Sequence, residues 1–306
     1  MPAQDDNEKL RAALNSILAA VFLTGLKILV GLLSGSLGIL AEAAHSTLDF
    51  AAAIITFFAV RAASKPADRG HAYGHGKLEN LSALVETLLL LGTCAWIISQ
   101  SVSRLLSAQV VVKASIWAFG VMAVSIAVDI SRARMLARTA ARHRSQALEA
   151  DALHFSTDVW SSLVVLLGLA GVKLGQQFPH LVWLEKADAV AGLLVAAIVV
   201  WVSLKLGLRA IEALIDASPE GVAEKIKARV EAMDNVFDCH AVRVRHSGPR
   251  YFVDLHVTLD GRISLQAAHD LTDDVERAVE ELLPGADVTV HPEPGPPPPE
   301  KHVGKA

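Results

Sequence analysis

The sequence predicts a bundle of six membrane-spanning helices followed by a small cytoplasmic α+β domain, and three observations carry that prediction. The 306 residues are 52% hydrophobic with a mean hydropathy of +0.41, too apolar for an ordinary soluble domain. Six apolar runs, at 12–33, 37–61, 79–106, 111–134, 147–174 and 187–213, each offer the ~20 residues a spanning helix needs. After Pro219 the pattern changes to short amphipathic segments. The chain therefore divides into a cytoplasmic N-terminal segment 1–11, an all-α transmembrane domain 12–216, a cytoplasmic domain 217–291 and a Pro-rich disordered tail 292–306.

The opening "MPAQDDNEKLRAAL" has acidic residues before its first apolar run and no small-residue cleavage pattern, so that run is expected to stay as a membrane helix. Lone charges interrupt the apolar runs: Lys27, Glu42, Asp49, Glu86, Asp129 and Asp158. Intramembrane charge is costly and must face protein or water, so the bundle needs a polar interior, which favours a transporter over a simple anchor. The 61–77 loop carries Arg61, Lys65, Arg69 and Lys77, and the 132–144 loop carries Arg132, Arg134, Arg138, Arg142 and Arg144. The alternate loops are poorer in cations, so both basic loops and both termini are expected in the cytoplasm. The net charge of −4 implies no nucleic-acid partner. Two cysteines, Cys94 and Cys239, do not suggest a disulfide or a Cys-rich zinc module.

Beyond Pro219, "PEGVAEKIKARVEAM" (219–233) has helical spacing. "CHAVRVRH" (239–246) and "YFVDLHVTL" (251–259) alternate as strands around Ser247, Gly248 and Pro249. "SLQAAHDLTDDVERAVEELL" (264–283) is an amphipathic helix with Ser264 as its N-cap, and "ADVTVH" (286–291) is a last strand. The order αββαβ predicts a ferredoxin-like or metallochaperone-like sandwich of one sheet and two helices. Six of the twelve prolines fall within 292–299, which reads as an extended tail.

The chemistry concentrates in two short stretches. "HSTLD" (45–49) and "HFSTD" (154–158) each place a histidine four residues before an aspartate inside an apolar run. Residues i and i+4 share one stripe of a helix, so His45 and Asp49 present one imidazole and one carboxylate together, as do His154 and Asp158. Two such pairs facing each other provide two nitrogens and two oxygens, the tetrahedral set that Zn²⁺ accepts. The alternative is two local hydrogen-bonded couples. The surrounding residues align as A-[DE]-A-x-H-x-x-x-D at 41–49 and 150–158, compatible with an inverted repeat or with convergence on a metal-binding helix. Glu42 and Asp151 lie three residues before each histidine, as waypoints or supports of the metal path, or as polar packing contacts. Asp68, His71 and His75 form a second candidate three-ligand cluster, unless they are a solvated polar loop.

These residues, with "PADRGHAYGHGKLEN" (66–80) and the αββαβ unit, resemble the cation diffusion facilitators, six-helix proton-coupled exporters of divalent zinc-like metals. The resemblance covers nearly the whole length. It implies a transport site of His45, Asp49, His154 and Asp158, and a metal on Asp68, His71 and His75. It also implies a charge lock between Lys77 and Asp216, although both could be solvated charges. His240, His256, His269 and His291 stand where relatives bind a regulatory metal pair, or are ordinary surface residues. The family often has Asp two residues after the last of these; here the longer Glu293 takes that place. A homodimer in a prokaryotic plasma (inner) membrane follows from the resemblance.

Imidazole with carboxylate suits Zn²⁺, with Fe²⁺, Co²⁺, Cd²⁺ and Mn²⁺ as competitors, and argues against Mg²⁺ and Ca²⁺, which want more oxygens. Metal binding requires neutral His and ionised Asp, so it expels protons and could couple Zn²⁺ export to proton entry by alternating access. Two rivals are a membrane-tethered metal sensor and an intramembrane metallohydrolase. The latter would need a motif such as H-E-x-x-H, which is absent, so no enzymatic activity is expected.

Overall fold

A computed structural model describes residues 2–34, 37–106, 116–177 and 184–296. The chain forms two compact units, 1–211 and 212–306. The first contains α1 (Pro2–Ser34), α2 (Leu37–Ala63), α3 (Lys77–Leu106), α4 (Ile116–His143), α5 (Gln146–Gln177) and most of α6 (Leu184–Leu214). α1 packs on α2 and α4, α4 on α5, and α3 on α2 and α5. Small residues make the close contacts: Ala83, Ala150 and Ala210 are buried together with Leu206 where α3, α5 and α6 meet.

The polarity of this unit is inverted relative to a soluble bundle. Leu18, Phe22, Leu29, Phe58, Leu88, Trp96, Trp160, Ile198 and Trp201 are exposed, whereas Ser16, Lys27, Asp49, Glu86, Asp129, Arg132, Asp151 and His154 are buried. Hydrocarbon is the solvent that makes such an arrangement favourable, because helices satisfy their backbones internally and polar side chains then turn inward. Among the described residues, four helices are long and apolar enough to cross a membrane, within Asn7–Leu33, Ser46–Ala63, Lys77–Ser103 and Leu193–Leu214. The inward-facing charges are densest on α4 and α5, which carry Asp129, Arg132, Asp151 and Asp158.

Two boundaries in this unit differ from the sequence expectation. α1 begins at Pro2, so residues of the expected N-terminal segment are continuous with the first membrane helix. The expected 132–144 loop is helical to His143, leaving Arg144 (φ 52°) and Ser145 as the connection to α5. Arg, Ala, Met and Leu are strong helix formers, and Leu136, Ala140 and His143 bury one stripe while Arg134, Arg138 and Arg142 do not join it. Ser145 starts α5, its Oγ accepting from the Leu148 N–H at 3.4 Å.

The second unit continues with α7 (Val222–Glu231), β1 (Asp238–Ser247), β2 (Arg250–Asp260), α8 (Leu265–Leu282) and β3 (Asp287–Gly295). β2 is the central strand, antiparallel to β1 and parallel to β3, with α8 as the crossover that a parallel pair requires. The β1–β2 hairpin closes over Gly248 and Pro249, and Gly248 takes φ 57° as its turn requires. Val253, Leu255 and Val257 bury one face of β2 against Ile226 and Val230 of α7 and Val275 and Val279 of α8. Ser264 caps α8 as expected, its Oγ accepting from Ala267 N–H at 3.1 Å. Cys94 and Cys239 are separate buried thiols.

β3 runs through Gly295, so the tail expected from 292 gives its first four residues to the sheet. The prolines at 292 and 294 alternate, and a strand paired on one side only tolerates a missing N–H at every second position. Gly295 faces Asp260 in register; a Cβ there would come within 2.6 Å of Thr258 Cγ2 and 3.1 Å of the Leu259 oxygen. Close approach of the strands therefore selects glycine. Residues 297–306 lie outside the described residues.

Candidate metal centres

Three clusters of metal-ligating side chains occur among the described residues: Asp49–His154–Asp158, Asp68–His71–His75 and His240–His256–Glu293, each offering ligand atoms within 4.8 Å of one another. The first lies between α2 and α5, helices in direct contact. His154 Nε2 is 3.1 Å from Asp49 Oδ1 and 3.6 Å from Asp158 Oδ2. The helical i, i+4 spacing sets the second contact, while the packing of α2 on α5 sets the first across 105 residues of sequence. One imidazole nitrogen thus faces two carboxylates, with His154 and Asp49 buried and Asp158 partly so. This is a compact N/O donor set for one divalent cation. His45 and Glu42 belong to α2, but their side chains fall outside the described residues.

Asp151, one turn before His154, is fully inside the bundle, accepting from Ser16 Oγ of α1 at 3.2 Å. Ser16 in turn accepts from Arg132 Nη2 at 3.0 Å, and Arg132 Nη1 donates to Asp129 Oδ1 at 3.3 Å. On α2, Ser46 accepts from Lys27 Nζ at 2.7 Å. Glu86 of α3 accepts from the hydroxyls of Thr56 and Ser82. From sequence, Lys27 reads only as a lone membrane charge and Arg132 as a cation of the 132–144 loop, while Ser16 and Ser46 carry no signal. The i, i+3 spacing of Asp129 and Arg132 was a signal, masked because Arg132 opens a run of arginines that resembles a basic loop.

The second cluster forms in the loop between α2 and α3. Asp68 Oδ1 accepts from the Gly70 and His71 N–H groups, each at 2.8 Å, which fixes the carboxylate. Those two backbone donors, with the His71 ring, hold its pKa below the usual carboxylate range. His71 Nδ1 lies 3.3 Å from Oδ1 and His75 Nε2 3.6 Å from Oδ2, with the rings 4.3 Å apart. Gly74, at φ 78°, lets the chain reverse between the two histidines. Lys77 then opens α3.

The third cluster is a product of strand register. His240, His256 and His291 pair directly across β1, β2 and β3, so their side chains share one row on the face opposite the core. The ring centroids are 5.5 Å apart for His240–His256 and 4.8 Å for His256–His291. Glu293 reaches into this row: its Oε1 is 2.9 Å from His256 Nδ1 and its Oε2 3.3 Å from His240 Nε2. Hydrogen bonding by His256, then the charge of His240, depresses its pKa. His240 is also 2.7 Å from Asp238. A β-bulge follows His240, where Ala241 takes φ 52°. His269 stands on α8 and pairs with Asp273 at 3.7 Å, separate from the three-ligand group. Asp216, at φ 61° beyond the end of α6, lies 3.6 Å from Arg245.

The cation efflux transmembrane domain family matches residues 13–215, and the cation efflux protein cytoplasmic domain family matches residues 219–295. The chain is 32% identical over 286 residues to a cation-efflux pump FieF of Yersinia enterocolitica, covering 92% of each chain. It is 33% identical over 282 residues to the same pump of Shewanella oneidensis, covering 91% of this chain and 92% of that one. Among solved structures, the metal-bound C-terminal domain of the CzcD transporter from Thermotoga maritima is 34% identical, with a TM-score of 0.23, covering 24% of this chain and 86% of that one.

Proposed function

This chain belongs to the cation efflux family, an integral membrane transporter rather than an enzyme, and on that premise we propose that it is a homodimeric antiporter moving cytoplasmic Zn²⁺ outward in exchange for protons. The observation that carries this reading is the meeting of Asp49, His154 and Asp158 between α2 and α5. His45, one turn from Asp49 on α2, completes the donor set as a second imidazole. Two carboxylates and imidazole favour a borderline divalent ion over Mg²⁺ or Ca²⁺. Fe²⁺, Co²⁺, Cd²⁺ and Mn²⁺ compete for the same donors.

Ligation needs neutral imidazole and ionised carboxylate, so arrival of the metal displaces protons and their return drives it off. The site therefore exchanges one cargo for the other as the bundle opens alternately to each side. The loop cluster is a further metal site, and the histidine row is a site for regulatory cations. Metal held by His240, His256, His291 and Glu293 biases the cytoplasmic domains toward one dimer arrangement. A sensor that never transports would use the same cytoplasmic ligands, and flux separates the two.

The test is flux from proteoliposomes across a metal panel under an imposed pH gradient. Zn²⁺ should move fastest, and Asp49→Ala should reduce its flux by at least about 100-fold, since it removes a charged ligand from a small set. Near-wild-type flux in that variant would contradict the assignment.

A further inference from the structure

Arg132 is buried in α4, its side chain 4% exposed, so it is not the loop cation that its place in the sequence suggests. It is held from three sides. Asp129 accepts from it one turn back on α4, Ser16 accepts from it on α1, and Phe155 of α5 presents its ring face 3.4 Å from the guanidinium carbon. Ser16 relays the contact by donating to Asp151. Phe155 itself is fully buried, and its ring meets the His154 imidazole at 5.3 Å, nearly perpendicular. The guanidinium carbon can therefore lie no further from the His154 ring than those two separations combined. Its charge neighbours are Asp151, Asp129, Asp49 and Asp158.

We propose that Arg132 is a fixed internal counter-cation of the transport site, which orients Asp151 through Ser16 and weakens the hold on the divalent ion at Asp49, His154 and Asp158. The proposal rests on the transport reading above. Two carboxylates in a dry bundle attract a divalent ion strongly, and an exporter must let it go. A guanidinium stays charged at every working pH. Its repulsion is thus present whether the histidines are protonated or not, and it crosses an aromatic ring that screens little. When the ion leaves, the same charge steadies the carboxylates that remain.

The test is zinc flux against zinc concentration for the full-length protein in proteoliposomes. Arg132→Gln should lower the half-saturating concentration about tenfold and the maximal rate by a similar factor, because binding tightens and release slows. Asp129→Asn removes the charge that offsets the guanidinium and should raise the half-saturating concentration. A half-saturating concentration that is unchanged or raised in Arg132→Gln overturns the proposal, as does one that is unchanged or lowered in Asp129→Asn. Should Arg132→Gln not fold, Asp129→Asn decides, and an unchanged or lowered constant there overturns it. Asp49→Ala serves as the separate control: persistent flux in it sinks the transport-site reading, whereas lost flux with unmoved Arg132→Gln constants sinks only the counter-cation.

Discussion

Glu293 illustrates how much a single side chain contributes at the smallest scale. It is one methylene longer than the aspartate expected from the family resemblance, and it bridges His256 and His240 across β2 and β1. Its pKa is depressed chiefly by the His256 hydrogen bond, so the folded domain binds that proton less readily than the unfolded chain does. The resulting stabilisation is present above the ordinary carboxylate range and disappears as pH falls through the depressed value. In the metal-free 212–306 unit, Glu293→Gln should lower the melting temperature by a few degrees at most at pH 6, with the difference from wild type gone near pH 3. Circular-dichroism melts across that range check it; a difference that persists at pH 3 would assign it to another cause. The histidine positions were legible from sequence because strand alternation alone puts His256 opposite Val253, Leu255 and Val257. That His240, His256 and His291 form one row was not, because register depends on the bulge at Ala241.

At the scale of elements, the contacts that place the helices are buried polar ones. Lys9 of α1 donates to Glu79 of α3 at 2.8 Å with both side chains almost fully buried, and Glu79 also accepts from the hydroxyl of Ser145 at the start of α5. Asn80 donates to Gln146 at 2.9 Å beside it. Three helices are thereby tied at one end, next to the loop that carries Asp68, His71 and His75. Removing one charge of such a pair strands the other in a dry site, so Glu79→Gln should cost about 3–5 kcal/mol of stability, whereas replacing Lys9 and Glu79 together by apolar residues of similar size should cost far less. Thermal unfolding in detergent distinguishes the two; equal losses would contradict the account. The sheet makes a second prediction. Gly295→Ala forces a methyl against Thr258 and the Leu259 carbonyl and should destabilise the cytoplasmic unit by about 1–3 kcal/mol, read by its melt. Composition concealed this strand: proline-rich sequence signals an unfolded tail, and only pairing with β2 shows that alternating prolines fit an edge. The same limit hid Arg132, whose charge reads as a loop until the burial of α4 is seen.

The whole molecule follows from one choice of solvent. Lipid sends the apolar surface outward and leaves the interior to Asp49, Asp129, Arg132, Asp151, His154 and Asp158, which no soluble bundle would gather in this way. The six helical runs and the αββαβ order were readable because each rests on local spacing. The polar connections between α1, α4 and α5 were not, since they join residues more than a hundred positions apart. The central claim is that the cluster between α2 and α5 exchanges metal for protons. It is tested most directly by following Zn²⁺ movement and lumenal pH together in proteoliposomes of wild type and Asp158→Ala. The account predicts that zinc transport in the wild type is accompanied by opposite proton movement, and that both vanish in the variant. Zinc transport with no pH change, or undiminished exchange in Asp158→Ala, would contradict it.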